Sequence, residues 1–157
     1  MRSALAVALL ALGVAVFALL RTFDGEPDHT DTQRAEAVSA TCSAYDTVRR
    51  AVATNTNTEP PGGPDDLAGA LAAAANARVA LLDGGQYLLA RLDPATPAEL
   101  AGDVRRFADQ LMDIGAAATA GVPNADPVQA ARLADAEAAS GAISARCASR
   151  DLGDENP

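Results

Sequence analysis

The sequence predicts an all-α protein: an antiparallel four-helix bundle preceded by an N-terminal transmembrane helix. Three observations carry that reading. Residues 4–20 hold no charged side chain. Four later segments repeat apolar residues at alternating intervals of three and four, the period of one helix face, and each is bounded by Pro, Gly or a capping residue. No alternating, strand-period run competes with them. Composition agrees, since 39 of the 157 residues are alanine, five are aromatic and none is Trp, which suits helices packed closely through small side chains.

The first element is the apolar run Ala4–Leu20, seventeen residues long. As a helix it spans roughly 25 Å at about 1.5 Å per residue, close to the shortest that crosses a bilayer. Ser3, Thr22 and Phe23 extend it, and Arg21 can lift its guanidinium to the headgroups. The alternative is a cleaved signal peptide with Arg2 as its charged n-region. Its nearest small-x-small site, Val16-Phe17-Ala18, would cut inside the hydrophobic stretch, and the run exceeds the ~7–15 residues of an ordinary signal core. Residues 1–23 therefore read as an anchor, or as a signal peptide if removed. Residues 24–30 set Asp24, Glu26 and Asp28 beside helix-breaking Gly25 and Pro27 and read as an acidic linker. Its His29 has no Cys or second His nearby with which to hold a metal.

The bundle is expected over residues 31–150, followed by a disordered tail at 151–157. Its first helix runs from Asp31 to Asn55, opened by Thr30 with Gln33 three residues on, and its stripe is Ala35, Val38, Cys42, Tyr45, Val48 and Val52. The Asn/Thr-rich stretch from Thr54 and the prolines Pro60, Pro61 and Pro64 stop it. The second begins at Asp65-Asp66, whose carboxylates suit a helix N-terminus. Its stripe is Leu67, Leu71, Ala74, Arg78, Leu81, Gly85, Leu88 and Leu92. Because that stripe keeps its phase across Gly84-Gly85, one helix kinked there is favoured over two.

The third start is the clearest local signal: Thr96 at N-cap, Pro97 at the first helical position and Glu99 at the third. Leu100, Val104, Phe107, Leu111, Ile114 and Ala118 follow. The fourth repeats the grammar with Asp126, Pro127 and Gln129, and its stripe is Leu133, Ala136, Ser140, Ile143 and Cys147. Short Pro/Gly connections between four amphipathic segments suit up-down-up-down topology. Alanine on the seams lets the helices approach near the ~8 Å end of the interaxial range.

Cys42 and Cys147 fall on the seams of the first and last helices, neighbours in such a bundle. An even count behind an export signal reads as a disulfide, and it places the bulk of the chain outside the cytoplasm. The bridge closes a loop of about 105 residues, for which chain entropy alone predicts ~4.7 kcal/mol of stabilisation.

Little in the chain speaks for catalysis. The twelve basic residues are all Arg, against 21 acidic ones, and the net charge of −9 repels a nucleic-acid backbone. The serines have no His to activate them, and no Gly-x-Ser-x-Gly elbow is present. Gly62-Gly63 and Gly84-Gly85 lack the strand and Lys of a phosphate loop. Asp103, Asp109 and Asp113 with Arg105 and Arg106 read as exposed ion pairs along the third helix. No cofactor or metal site is indicated.

Arg78 departs from this pattern, because it occupies a seam position between Ala74 and Leu81. Either its head reaches water at the rim, or it is buried and held by Asp46 or the Tyr45 phenol, since a buried unpaired charge is costly. In the second case it sets helix register or binds an anionic headgroup, with Asn76 and Tyr87 as companions.

The apolar N-terminus, Cys42-Ser43-Ala44-Tyr45, Val48-Arg49-Arg50-Ala51-Val52-Ala53-Thr54-Asn55-Thr56, Ala75-Asn76-Ala77-Arg78-Val79-Ala80-Leu81, Tyr87-Leu88-Leu89-Ala90-Arg91-Leu92 and Cys147 together carry a resemblance. The chain resembles a group of uncharacterised mycobacterial and related actinobacterial single-pass membrane proteins rich in alanine and proline, over most of residues 35–148. In longer members of that group a Pro-rich tail precedes the membrane helix. The resemblance implies a cell-envelope location and a helical extracytoplasmic domain, and it brings no activity and no functional residues.

The expected function is a non-enzymatic, membrane-tethered interaction module of the envelope, meeting a protein partner through a helix face or the Thr54–Glu59 loop. The alternative is a carrier of a small apolar or amphiphilic ligand, a lipid or haem, between the helices. Alanine-rich seams argue against a large cavity. A continuous apolar cavity beside Arg78 would favour the carrier; a filled core would favour the interaction module.

Overall fold

The computed structural model describes residues 12–13, 29–60, 62–63 and 65–151. The chain divides into two units, Met1–Thr30 and Asp31–Pro157. The predicted span at 4–20 lies outside the described residues apart from Leu12 and Gly13, as do residues 24–28 of the linker and 152–157 of the tail. Among the described residues no helix is long and apolar enough to cross a membrane.

The second unit is all-α. Its helices are α1 Asp31–Thr56, α2 Leu67–Arg91, α3 Ala98–Thr119 and α4 Pro127–Asp151. Each packs antiparallel on the next in sequence, and α4 returns to α1. Tyr45, Val48, Leu81, Leu88, Val104, Phe107, Leu111, Ile114 and Ile143 form the buried interior, drawn from all four predicted stripes.

Gly84 and Gly85 do not end the second helix. Both are buried inside it, and their missing side chains let its neighbours close in. A Cβ on Gly84 would lie 2.9 Å from Val48 Cγ1, and one on Gly85 only 2.7 Å from the Ala108 carbonyl oxygen. Gly115 answers from α3 against Leu81 and Leu82.

Four expected stripe positions are exposed, Ala35 near the start of α1 together with Leu67, Leu71 and Leu133, and the register accounts for two of them. With Val48 opposite Gly84, residue 76 stands opposite Thr56, where α1 ends; with Arg78 opposite Ala118, α3 ends at almost the same height. Leu71 and Leu67 lie beyond both ends, so they meet no neighbouring helix and are 62% and 73% exposed. Leu133 of α4, also expected inside, is 36% exposed.

The helix starts differ in how their polar groups are satisfied. Asp66 accepts the Gly69 N–H at 2.9 Å, and Asp126 accepts those of Val128 and Gln129 at 2.9 and 3.2 Å, as N-caps do. Thr96 does not cap α3. Pro97 takes the cap position with no side-chain bond, while the Thr96 hydroxyl pairs with that of Thr41 at 3.2 Å in a buried contact. Gln129 is likewise drawn inward, fully buried, where its Nε2 donates to the Ile114 carbonyl at 3.2 Å.

One end of the bundle is clamped. Cys42 and Cys147 form a disulfide, their Cα atoms 5.8 Å apart. Three residues along α1, Tyr45 donates its phenolic proton to the Ser140 carbonyl at 2.9 Å and lies 2.7 and 2.8 Å from the hydroxyls of Ser140 and Ser144. Asp103, expected on the surface, is buried. Its carboxylate meets Arg146 Nε at 2.8 Å and Arg106 Nη1 at 3.3 Å, and Arg146 Nη1 reaches Glu99 at 2.6 Å. The hydrogen bonds that Arg146 donates to Asp103 and Glu99 raise the pKa of its guanidinium.

Candidate functional site

Past Tyr45, toward the C-terminus of α1, the clamp between α1 and α4 gives out, and the two helices have little direct contact. All four helices then border a cavity of about 450 Å³. Its inner wall is Leu81 of α2 with Phe107, Leu111 and Ile114 of α3. Val52 of α1 and Leu133 and Ala136 of α4 line the sides, Ser140 lies toward the clamped end, and Asn124 comes from the α3–α4 connection. Exposed Arg49 and Glu137 flank the gap between α1 and α4.

Glycines mark the tight side of the bundle and alanines the loose one. Where small residues face each other across α2 and α3, the helices draw together. Ala74, Ala77, Ala118 and Ala136 instead surround the cleft, and with α1 and α4 held apart by nothing but their divergence, each missing side chain leaves volume. The expectation that alanine seams exclude a cavity is therefore corrected: alanine fills space only where the partner helix is free to approach.

Arg78 stands half-buried in the cleft wall. Its Nε donates at 3.2 Å to the Ala118 carbonyl, which also accepts the Gly121 N–H at 3.2 Å, in the last turn of α3, where the helix dipole favours a cation. Among the described residues, its two terminal nitrogens have no hydrogen-bond partner.

The other residues singled out with Arg78 are not gathered around it. Tyr45 is buried, spent on Ser140 and Ser144, and sets its ring edge-on to Phe107 with centroids 5.7 Å apart. It supports the cleft without lining it. Asp46 is exposed and faces Arg49 at 3.9 Å. Asn76 and Tyr87 line a different, shallower groove of about 340 Å³ between α1 and α2, together with Asn55 and Asp83. There the Arg91 guanidinium lies 5.0 Å from the centre of the Tyr87 ring. The expected five-residue group thus separates into a cleft residue, a support and three surface positions.

The Thr54–Glu59 loop is also less available than its composition suggests. α1 runs on to Thr56, and Asn55, Thr56, Asn57 and Thr58 each donate to the carbonyl four residues back at 2.6 to 2.8 Å. Their side chains are engaged in finishing the helix.

Sequence reasoning passed over Arg49, Phe107, Glu137 and Leu133 as site residues. Phe107 and Leu133 lie on predicted stripes and Arg49 and Glu137 directly follow stripe residues, but only the divergence of α1 from α4, a property of the whole bundle, turns a core seam into a cleft wall. No family model, curated protein or solved structure matches the chain. Among the described residues, no group of three or more His, Cys, Asp or Glu is placed to hold a metal ion.

Proposed function

We propose that the bundle binds a small apolar or amphiphilic molecule in the cleft between its four helices, as an extracytoplasmic module tethered by the apolar run at residues 4–20. The observation that carries this reading is the cavity of about 450 Å³ beside Arg78. Ligand sites are concave, mostly apolar and supplied with few polar groups, within about 300–1,000 Å³. Here aliphatic and aromatic side chains make the walls, and one half-buried guanidinium supplies the orienting group. The disulfide and the Tyr45 bonds hold the other end rigid, so the cleft does not depend on a ligand to exist.

The test is photolabelling of the full chain in phospholipid vesicles with a diazirine-bearing dodecanol. Crosslinks mapped by mass spectrometry to Leu81, Leu111 or Leu133 are the expected result. Labelling confined to residues outside the cleft would overturn the reading.

A second reading, a docking face for an envelope protein, draws on the overhang of α2. Leu67 and Leu71 expose their side chains there, as does Val128 in the first turn of α4 at 59%. All lie at the cleft end of the bundle. Leu71→Glu separates the two readings: it would abolish docking and leave cleft labelling intact.

A further inference from the structure

We infer that the cleft's ligand is a single-chain aliphatic carboxylate, with its chain against Leu81, Phe107 and Leu111 and its head on the free edge of the Arg78 guanidinium. The inference rests on the cleft being a binding site and adds the chemical class of what it takes.

Volume sets the size. At ~30 Å³ per non-hydrogen atom, the share a water molecule takes in the liquid, the cleft's volume of about 450 Å³ encloses roughly fifteen atoms, and anything larger must extend through its open side. One medium-length alkyl chain with a small head fills it. Haem or a two-chain lipid would stand largely outside it, and among the described residues no Tyr or His lines the cleft to ligate iron.

Charge sets the head. The cleft is bordered by two cations, Arg49 and Arg78, and one anion, Glu137, which together favour a monoanion over a phosphate dianion. Arg49 is mostly exposed and already faces Asp46, so the half-buried Arg78 is the less screened of the two. Its bond to Ala118 fixes the plane of the guanidinium through Nε. The two terminal nitrogens, without a partner among the described residues, then present a parallel pair of donors. A carboxylate matches that fork with both oxygens; an alcohol or an ammonium does not.

The experiment labels the full chain in vesicles with diazirine analogues of dodecanoate, dodecanol and dodecyl phosphate, on the wild type, Arg78→Gln and Arg78→Lys. The dodecanoate probe should label cleft residues at about tenfold or more lower concentration than the alcohol, and Arg78→Gln should bring the two probes to the same concentration. Arg78→Lys should retain part of it. Equal labelling by carboxylate and alcohol, unmoved by Arg78→Gln, would overturn the inference and leave cleft binding standing. Preference for the phosphate would overturn the monocarboxylate assignment alone. Labelling of the cleft by none of the three would remove both.

Discussion

Gly85 of α2 packs its bare Cα against the Ala108 carbonyl of α3, so closely that a Cβ there would lie 2.7 Å from that oxygen. The oxygen belongs to helical backbone and has no room to yield. This contact fixes the tight side of the bundle, and the opposite side, between α1 and α4, is where the molecule opens.

Gly85→Ala should lose about 1–3 kcal/mol to overpacking, more than the ~1 kcal/mol that alanine gains over glycine in a helix. A methyl group on Gly102 or Gly141 would meet nothing within 4 Å beyond its own stretch of helix. Alanine at either should gain about 0.5–1 kcal/mol, so urea denaturation would show opposite signs at matched helical sites. A Gly85→Ala variant as stable as Gly102→Ala would mean that α2 and α3 stand farther apart.

Leu111 and Leu71 occupy equivalent stripe positions in the sequence and opposite environments in the fold, 2% and 62% exposed. Leu111→Ala should cost about 2–5 kcal/mol as a core truncation. Leu71→Ala should change stability by no more than ~0.5 kcal/mol, as at ordinary surface sites. Comparable losses at both would place a covering element over the α2 overhang.

This contrast marks how far the sequence is legible. Period, caps and breakers locate all four helices, and the two cysteines identify which helices close the bundle, because these signals are local or involve one covalent pair. The fate of Leu71 depends on where two other helices happen to end. The cleft depends on how α1 and α4 diverge past Tyr45, which no single stripe encodes. Thr96 shows the same limit on a smaller scale: it carries the composition of a cap, yet a buried partner 55 residues away competes for its hydroxyl.

That competition is measurable. Thr96→Val alone should cost about 1 kcal/mol or more by stranding the Thr41 hydroxyl in the interior, whereas the double variant Thr41→Val with Thr96→Val should recover most of the loss. A cap would behave differently, since the loss at Thr96 would then persist whatever stood at position 41.

The clamped end should resist chemical challenge. Cys42 and Cys147 should remain unreactive to alkylation in unfolded, non-reduced protein taken from membranes, and reduction should lower stability by about 2–5 kcal/mol. Tyr45→Phe should cost a further 0.5–1.5 kcal/mol, roughly the worth of the lost hydrogen bonding to Ser140 and Ser144. Free thiols at both positions would remove the covalent half of the clamp and the case for an exported domain.

The cleft makes a prediction in which stability and binding move in opposite directions. Ala77 lines the cavity and is half-buried, and leucine there keeps nearly the helix propensity of alanine. Ala77→Leu places an isobutyl group against the apolar walls of the cleft, so stability should rise by about 0.5–2 kcal/mol, the usual gain from filling a cavity. The same group takes volume from a ligand limited to roughly fifteen atoms, so photolabelling of Leu81 and Leu111 by dodecanoate should fall sharply. A residue acting only in packing would move stability alone, and a residue acting only in binding would move labelling alone. Lower stability together with undiminished labelling would show that Ala77 already faces filled space and that the ligand, if one is held, lies elsewhere.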